Sequence, residues 1–238
     1  MEDRINMHTD DYNNLKKFWD FNFRLTDESK KEILEYEMEY TDMAPALEHI
    51  ELLKSINKDS IMLDYGCGDG WASIISAKNG VKDIKAVDVS ENSINLSKVY
   101  AEKFGCLDKI NFETIDEAWL AKEKDKSYDF IFTSNVLDVI FDEISMDILD
   151  NFNRILKDDG TLVVSLNYYI DPNSESTKKM DIREGKYVFF DNTLRLTSHS
   201  DKEWEEIFSK YFKVKELNYF SWSGEEKKTR RLFILKKN

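Results

Sequence analysis

The chain has 238 residues, 41% of them apolar and 13% aromatic, which suits one α/β domain with a sizeable core. Its formal net charge of −13 repels phosphate backbones and argues against a nucleic-acid partner. No run approaches the ~18 apolar residues of a membrane span, the start MEDRINMHTDDYN is too polar for a secretory signal, and Cys67 and Cys106 fit neither a disulfide framework nor a metal site. No membrane role, no metal and a reduced, cytoplasmic setting are therefore expected.

Asp10 to Phe23 mixes acids with Tyr12, Phe18, Trp19, Phe21 and Phe23. Thr26 to Tyr40 reads as a helix, and Pro45 opens another through Leu53 and Ile56, since proline suits a first helical turn. Ile61, Met62 and Leu63 then form a short apolar run, as in a strand buried on both faces. Asp64 ends it, and Gly66, Gly68 and Gly70 follow at alternate positions, giving a backbone that bends freely and admits a ligand closely. From Trp71 to Lys78 the pattern is helical. Strand, glycine loop and helix open a nucleotide-binding α/β unit. A dinucleotide fingerprint would need Gly or Ala at position 71, where Trp71 blocks close helix–strand packing.

Ile84 to Asp88 reads as the second strand, and Asp88 stands where a carboxylate can accept two hydrogen bonds from a ribose diol. Ser90 caps the next helix, Asn92 to Phe104. Ile110 to Ile115 is the third strand, followed by Asp116, Glu117, Ala118 and Trp119. Tyr128 to Ser134 is the fourth strand and runs into Asn135-Val136-Leu137-Asp138-Val139-Ile140. Ile144 to Leu156 is an amphipathic helix and Thr161 to Leu166 the fifth strand. Residues 171–200 are polar and irregular in pattern. Asp201 to Phe212 is the last helix, and Val214 to Phe220 with Arg231 to Leu235 close the chain as a strand pair.

IMLDYGCGDGW resembles motif I of the class I S-adenosylmethionine-dependent methyltransferases, and YDFIFTSNVLDVI resembles their motif IV. The resemblance is strong over residues 60–167. It implies S-adenosyl-L-methionine as cofactor, contacted by Asp64, Gly66, Cys67, Gly68, Asp88, Val89, Asp116, Glu117, Ala118, Ser134 and Asn135. In the family an acid after the third strand meets the adenine amino group and an apolar neighbour packs on the ring, roles that fall to Asp116 and to Ala118 or Trp119. Many relatives carry an acid and a histidine at the positions of Asp138 and Val139, so the histidine is missing here. Asp138 and His199 are the candidate general bases, with Tyr168, Tyr169 and Arg195 also on the acceptor side. The Asn/Asp-Pro-Pro-aromatic motif of nucleobase-methylating enzymes is absent, a second argument against nucleic acid.

The expected fold is a doubly wound, Rossmann-like α/β sandwich of seven strands with the last antiparallel. It is expected as a single class I methyltransferase domain. Residues 1–58 form an N-terminal helical lid, 59–170 the cofactor-binding core, 171–200 a substrate-side insertion, and 201–238 a closing helix and hairpin. The expected activity is methyl transfer to a small-molecule acceptor. The alternative is a non-catalytic S-adenosylmethionine-binding subunit that works through a protein partner.

Overall fold

The structure, a computed structural model, describes residues 9–237. The start of the polar segment read above as no secretory signal, residues 1–8, lies outside the described residues. In chain order the helices are α1 (Thr9–Asn22), α2 (Asp27–Glu35), α3 (Leu47–Lys54), α4 (Trp71–Asn79), α5 (Glu91–Lys103), α6 (Trp119–Lys122), α7 (Asp142–Ile155) and α8 (Asp201–Phe208). The strands are β1 (Ile61–Tyr65), β2 (Asp83–Asp88), β3 (Ile110–Thr114), β4 (Tyr128–Ser134), β5 (Leu156–Leu166), β6 (Asp181–Arg183), β7 (Tyr187–Phe190), β8 (Thr193–Thr197), β9 (Phe212–Phe220) and β10 (Arg230–Lys237).

Seven strands form the main sheet in the order β3-β2-β1-β4-β5-β10-β9. The pairs among β1 to β5 are parallel, and β10 runs antiparallel to both β5 and β9. Alternation along the central strands splits the core between two faces. Leu63, Ile131, Leu162 and Val164 join one buried cluster with Leu149, Phe152, Trp204 and Phe208. Met62, Phe130, Phe132 and Val163 join the other, with Leu53, Ile74, Ile75 and Ala101. Both faces are thus covered by helices, which is why these strands read as continuous apolar runs. Burying each such large apolar side chain is worth about 1.5–3 kcal/mol.

Three helices fall short of the sequence expectation. The helix expected over Thr26–Tyr40 stops at Glu35, because Tyr36 turns to an extended backbone and Tyr40–Met43 forms a separate 3-10 turn. The one opening at Pro45 starts at Leu47, and the last ends at Phe208 rather than Phe212. The larger difference is in residues 171–200, read as irregular. There β6, β7 and β8 form a second, three-stranded antiparallel sheet. Asp191 and Asn192 link β7 to β8 with φ of 50° and 55°, the mirror-image two-residue turn that fits strand twist. Tyr187, Phe189 and Leu194 of this meander bury themselves against Phe141, just ahead of α7.

Candidate active site

At the carboxyl end of β1 the backbone turns through Gly66 and Gly68, with φ of 71° and 58°. The N–H groups of Gly66 and Cys67 donate to the Val87 carbonyl at 2.8 and 3.0 Å, which pins the loop to β2. A Cβ on Gly66 would lie 2.3 Å from Cγ2 of Val136, so only glycine lets the loop and the segment after β4 meet. Cys67 is buried, and its thiol is pushed well above its ordinary pKa by burial and by nearby carboxylates.

Three acidic side chains surround this loop. Asp64 is 2% exposed, and its Oδ2 accepts the Ser73 N–H (3.1 Å) and Oγ–H (2.7 Å), joining β1 to α4. Asp88, at the end of β2, accepts the Gly68 N–H on Oδ2 (3.0 Å) and the Ser90 N–H on Oδ1 (2.9 Å). Ser90 caps α5, as the sequence suggested, through its own hydroxyl and the Ser93 N–H. Burial pushes the Asp64 carboxyl up to about 7 and the half-buried Asp69 up to about 6, and it raises Asp88. Hydroxyl and backbone donors offset part of that burial. A bare loop ringed by partly desolvated carboxylates favours a ligand that carries positive charge and hydroxyl donors.

The ends of β3 and β4 flank the loop. Asp116 accepts the Ala118 N–H at 3.1 Å and starts α6, while Glu117 pairs with Lys16 of α1 at 2.9 Å. Ala118 is exposed, whereas Trp119 is buried, donates to Glu113 and is covered by Lys85 at 5.0 Å. Trp119 is thus a core residue, which leaves Ala118 as the exposed one of the two expected packing residues. Val89 packs half-buried against the core cluster below. Ser134 ends β4, and Asn135 adopts φ of 53°, donates its N–H to the Ser165 carbonyl at 2.9 Å and leaves Oδ1 buried without a partner.

Helix α1 lies across this edge of the sheet. Leu15 is buried in the core cluster with Val87, Ile115 and Leu137. Asp20 accepts the Ser90 hydroxyl (2.8 Å) and the Asn92 side-chain amide (3.0 Å), at the N-terminus of α5. The Phe23 ring rests over Gly68 and stacks on Trp19.

A family model described as "Methyltransferase domain" matches residues 34–211, about three quarters of the chain. The chain belongs to the class I S-adenosylmethionine-dependent methyltransferase family. A ribosomal protein L11 methyltransferase of Macrococcus caseolyticus is 33% identical over 112 residues, 47% of this chain and 33% of that protein. The chain thus spans about a third of the length of that curated relative. The crystal structure of PH0226 protein from Pyrococcus horikoshii OT3 superposes with a TM-score of 0.67 at 20% identity, over 86% of this chain and 93% of that one. A 1,6-didemethyltoxoflavin-N1-methyltransferase of Burkholderia thailandensis, solved with 1,6-didemethyltoxoflavin and S-adenosylhomocysteine, gives 0.64 at 14% identity over 84% and 80%.

The donor set of this chain fits its family's cofactor. The positive-φ glycine loop leaves backbone bare, Asp88 keeps acceptor capacity beside it, and the unpartnered Asn135 Oδ1 is an orphaned acceptor at the next strand end. Asp69, Ser73, Ser93 and Val136 also shape the loop, and the sequence reading gave none of them a role there. Asp69 stood inside the glycine run itself, so its position was a readable signal.

The two candidate bases each have partners of their own. Asp138 is fully buried, and its Oδ2 accepts the N–H (2.6 Å) and side-chain amide (3.0 Å) of Asn167. Its Oδ1 has no partner, and burial raises its pKa. The His199 Nε2 lies 2.7 Å from Oδ1 of Asp142, whose other oxygen pairs with Lys186. His199 packs edge-on against Trp204 and is 7% exposed. Arg231 links the two regions, donating to the carbonyls of Asn167 and His199. These contacts tie the meander to the sheet.

Beyond β5 a cavity of about 550 Å³ opens between Asn167, Tyr168 and the meander residues Val188, Phe189 and Arg195. Tyr168 and Arg195, singled out from the sequence, both line it, whereas His199 does not.

Proposed function

We propose that this chain transfers the methyl group of S-adenosylmethionine to a small molecule seated in the cavity between the end of β5 and the meander. The observation that carries the reading is that cavity. Its volume of about 550 Å³ falls in the range of small-molecule sites, roughly 300–1,000 Å³, and aromatic side chains wall it. It adjoins Asn167, which holds Asp138 at the end of the motif IV segment. The bound heterocycle of the Burkholderia neighbour supports the reading by analogy of fold alone. The net charge of −13 supports it against a nucleic-acid acceptor.

Bound at the glycine loop, S-adenosylmethionine supplies a methyl group already activated on a positively charged sulfur. In this reading the chain binds, orients and excludes water. Asp88 accepts the ribose hydroxyls while keeping Gly68 and Ser90 in place. Asp64 and Asp69 balance the positive charge. Phe23, just past the end of α1, and Trp19, stacked on it, cover the loop as a lid, and proximity supplies much of the rate. Asp138 and His199 act as positioning residues through Asn167 and Asp142, rather than as proton acceptors.

The test offers the protein a panel of small hydroxyl, amine and thiol acceptors, with ribosomal protein L11 as a further arm, and measures S-adenosylhomocysteine release. Turnover on small acceptors alone is expected. Turnover on L11 alone would overturn the acceptor assignment. Cofactor binding with no turnover in any arm would favour the non-catalytic subunit.

A further inference from the structure

We propose that the cavity selects a flat acceptor bearing a carboxylate, and that Arg195 is the residue that reads it. The inference rests on the small-molecule reading above and names the class of molecule.

Arg195 lies in β8 and projects into the cavity wall, with its guanidinium 3.9 Å above the ring of Phe18 in α1. The stacking occupies one face of the guanidinium and leaves its in-plane N–H groups free, the geometry that suits bidentate capture of a planar anion. No carboxylate among the described residues pairs with it. Supply is not the reason, since the chain has 47 acidic residues against 34 basic ones.

The other charges of the cavity sharpen the contrast. Arg230 also lines it, but is bonded to both oxygens of Glu225, donates to Asn167 and stacks on Trp222. Asp181 is neutralised by Arg183 through two hydrogen bonds of 3.2 and 2.8 Å. Lys179 and Asp191 are exposed at the rim and carry opposite charges. Among the described residues, what remains inside is the half-buried guanidinium of Arg195, with no carboxylate partner. The exposed ring of Tyr168 beside it suits a flat ring, and the buried Phe189, stacked under Arg183, backs the wall.

The placement also gives the anchor a consequence. Arg195 rests on α1, the helix just after which Phe23 lies over Gly68. An acceptor held by Arg195 therefore lies beside α1, next to the segment whose Phe23 covers Gly68.

The experiment uses the whole chain with saturating S-adenosylhomocysteine and a set of matched aryl carboxylates and their primary amides, 4-hydroxyphenylacetate and 4-hydroxyphenylacetamide among them. Binding is read by ligand-detected NMR and by chemical-shift changes at Tyr168 and Phe189. Carboxylates should bind at least tenfold more tightly than their amides. Arg195→Gln should abolish that preference, while Arg195→Lys keeps the charge, loses the fork and retains a weakened preference. A backbone NMR spectrum like that of the wild type checks each variant's fold. If amides bind in the cavity as well as carboxylates, or Arg195→Lys abolishes the preference as fully as Arg195→Gln, the carboxylate inference fails and the small-molecule reading stands. If no member of either series perturbs Tyr168 or Phe189, both fail.

Discussion

The ring of Phe23 lies directly over Gly68, its Cζ 3.5 Å from where a Cβ on that glycine would stand. The turn that follows α1 therefore meets the glycine loop, and any ligand at the loop shares that space with Phe23. Asp20 holds this arrangement, since its carboxylate meets Ser90 and Asn92 at the positive end of α5.

Asp20→Ala should loosen α1 without unfolding the core. Losing hydrogen bonds to a charged group at a half-exposed site costs about 1–2 kcal/mol of local opening energy. Amide exchange in α1 should quicken roughly tenfold while exchange in β1 and β4 stays unchanged, as read by mass spectrometry. Unaltered exchange in α1 would show that Asp20 does not hold the helix.

Asp88→Ala should weaken cofactor binding at least tenfold, because hydrogen bonds to a charged acceptor are worth roughly 1.5–3 kcal/mol. Asp88→Asn should lose less. A 2′-deoxy cofactor analogue supplies the control, binding the wild type poorly and losing little more on Asp88→Ala. Calorimetry on the folded fraction distinguishes this from a purely structural role, in which Gly68 and Ser90 lose their acceptor, stability falls and affinity stays the same.

The carboxylates around the loop make binding pH-dependent. Folding raises Asp64 to about 7 and Asp69 to about 6, above their unfolded values near 4. Each therefore disfavours the fold increasingly as pH rises from its unfolded value through its folded one, so the unliganded chain should lose stability from pH 5 to 8. A cationic ligand favours the ionised acids and expels their protons, so its affinity should rise, by roughly tenfold over the same range. Asp64→Asn should flatten both profiles. Titration calorimetry in buffers of different ionisation enthalpy would detect the released protons, and proton uptake on binding would contradict the sign.

Asp138→Asn tests the role assigned to a fully buried acid. Asn can still accept the two Asn167 bonds through its oxygen, so kcat should stay within a few-fold and its pH profile should not move. A general base would show a fall of about 10²–10⁴. Stability should drop, since Arg231 loses the negative charge that lies near it.

The main sheet was legible because its signals are local. Ile61-Met62-Leu63 and Phe130-Ile131-Phe132 read as strands buried on both faces, and Leu63 and Met62 do face opposite core clusters. The glycine positions, the Ser90 cap and the acid ending β2 were equally local. The meander was missed because its strands are only three to five residues long, with Tyr187, Phe189 and Leu194 finding partners only when brought against Phe141. Its turn at Asp191-Asn192 was the available clue. The fates of Asp138 and His199 were not readable at all. Their partners, Asn167 and Asp142, lie 29 and 57 positions away, and only the folded chain brings them together. Trp119 misled for a related reason, because its burial under Lys85 depends on β2.

The central claim is that the loop after β1 holds S-adenosylmethionine. The direct test is thermal and chemical unfolding of the whole chain with S-adenosylmethionine, S-adenosylhomocysteine or NAD present. Either adenosyl ligand at a hundredfold over its dissociation constant should add about 2.7 kcal/mol of stability, and NAD at the same concentration should add none. Stabilisation by NAD alone, or by none of the three, would contradict the account.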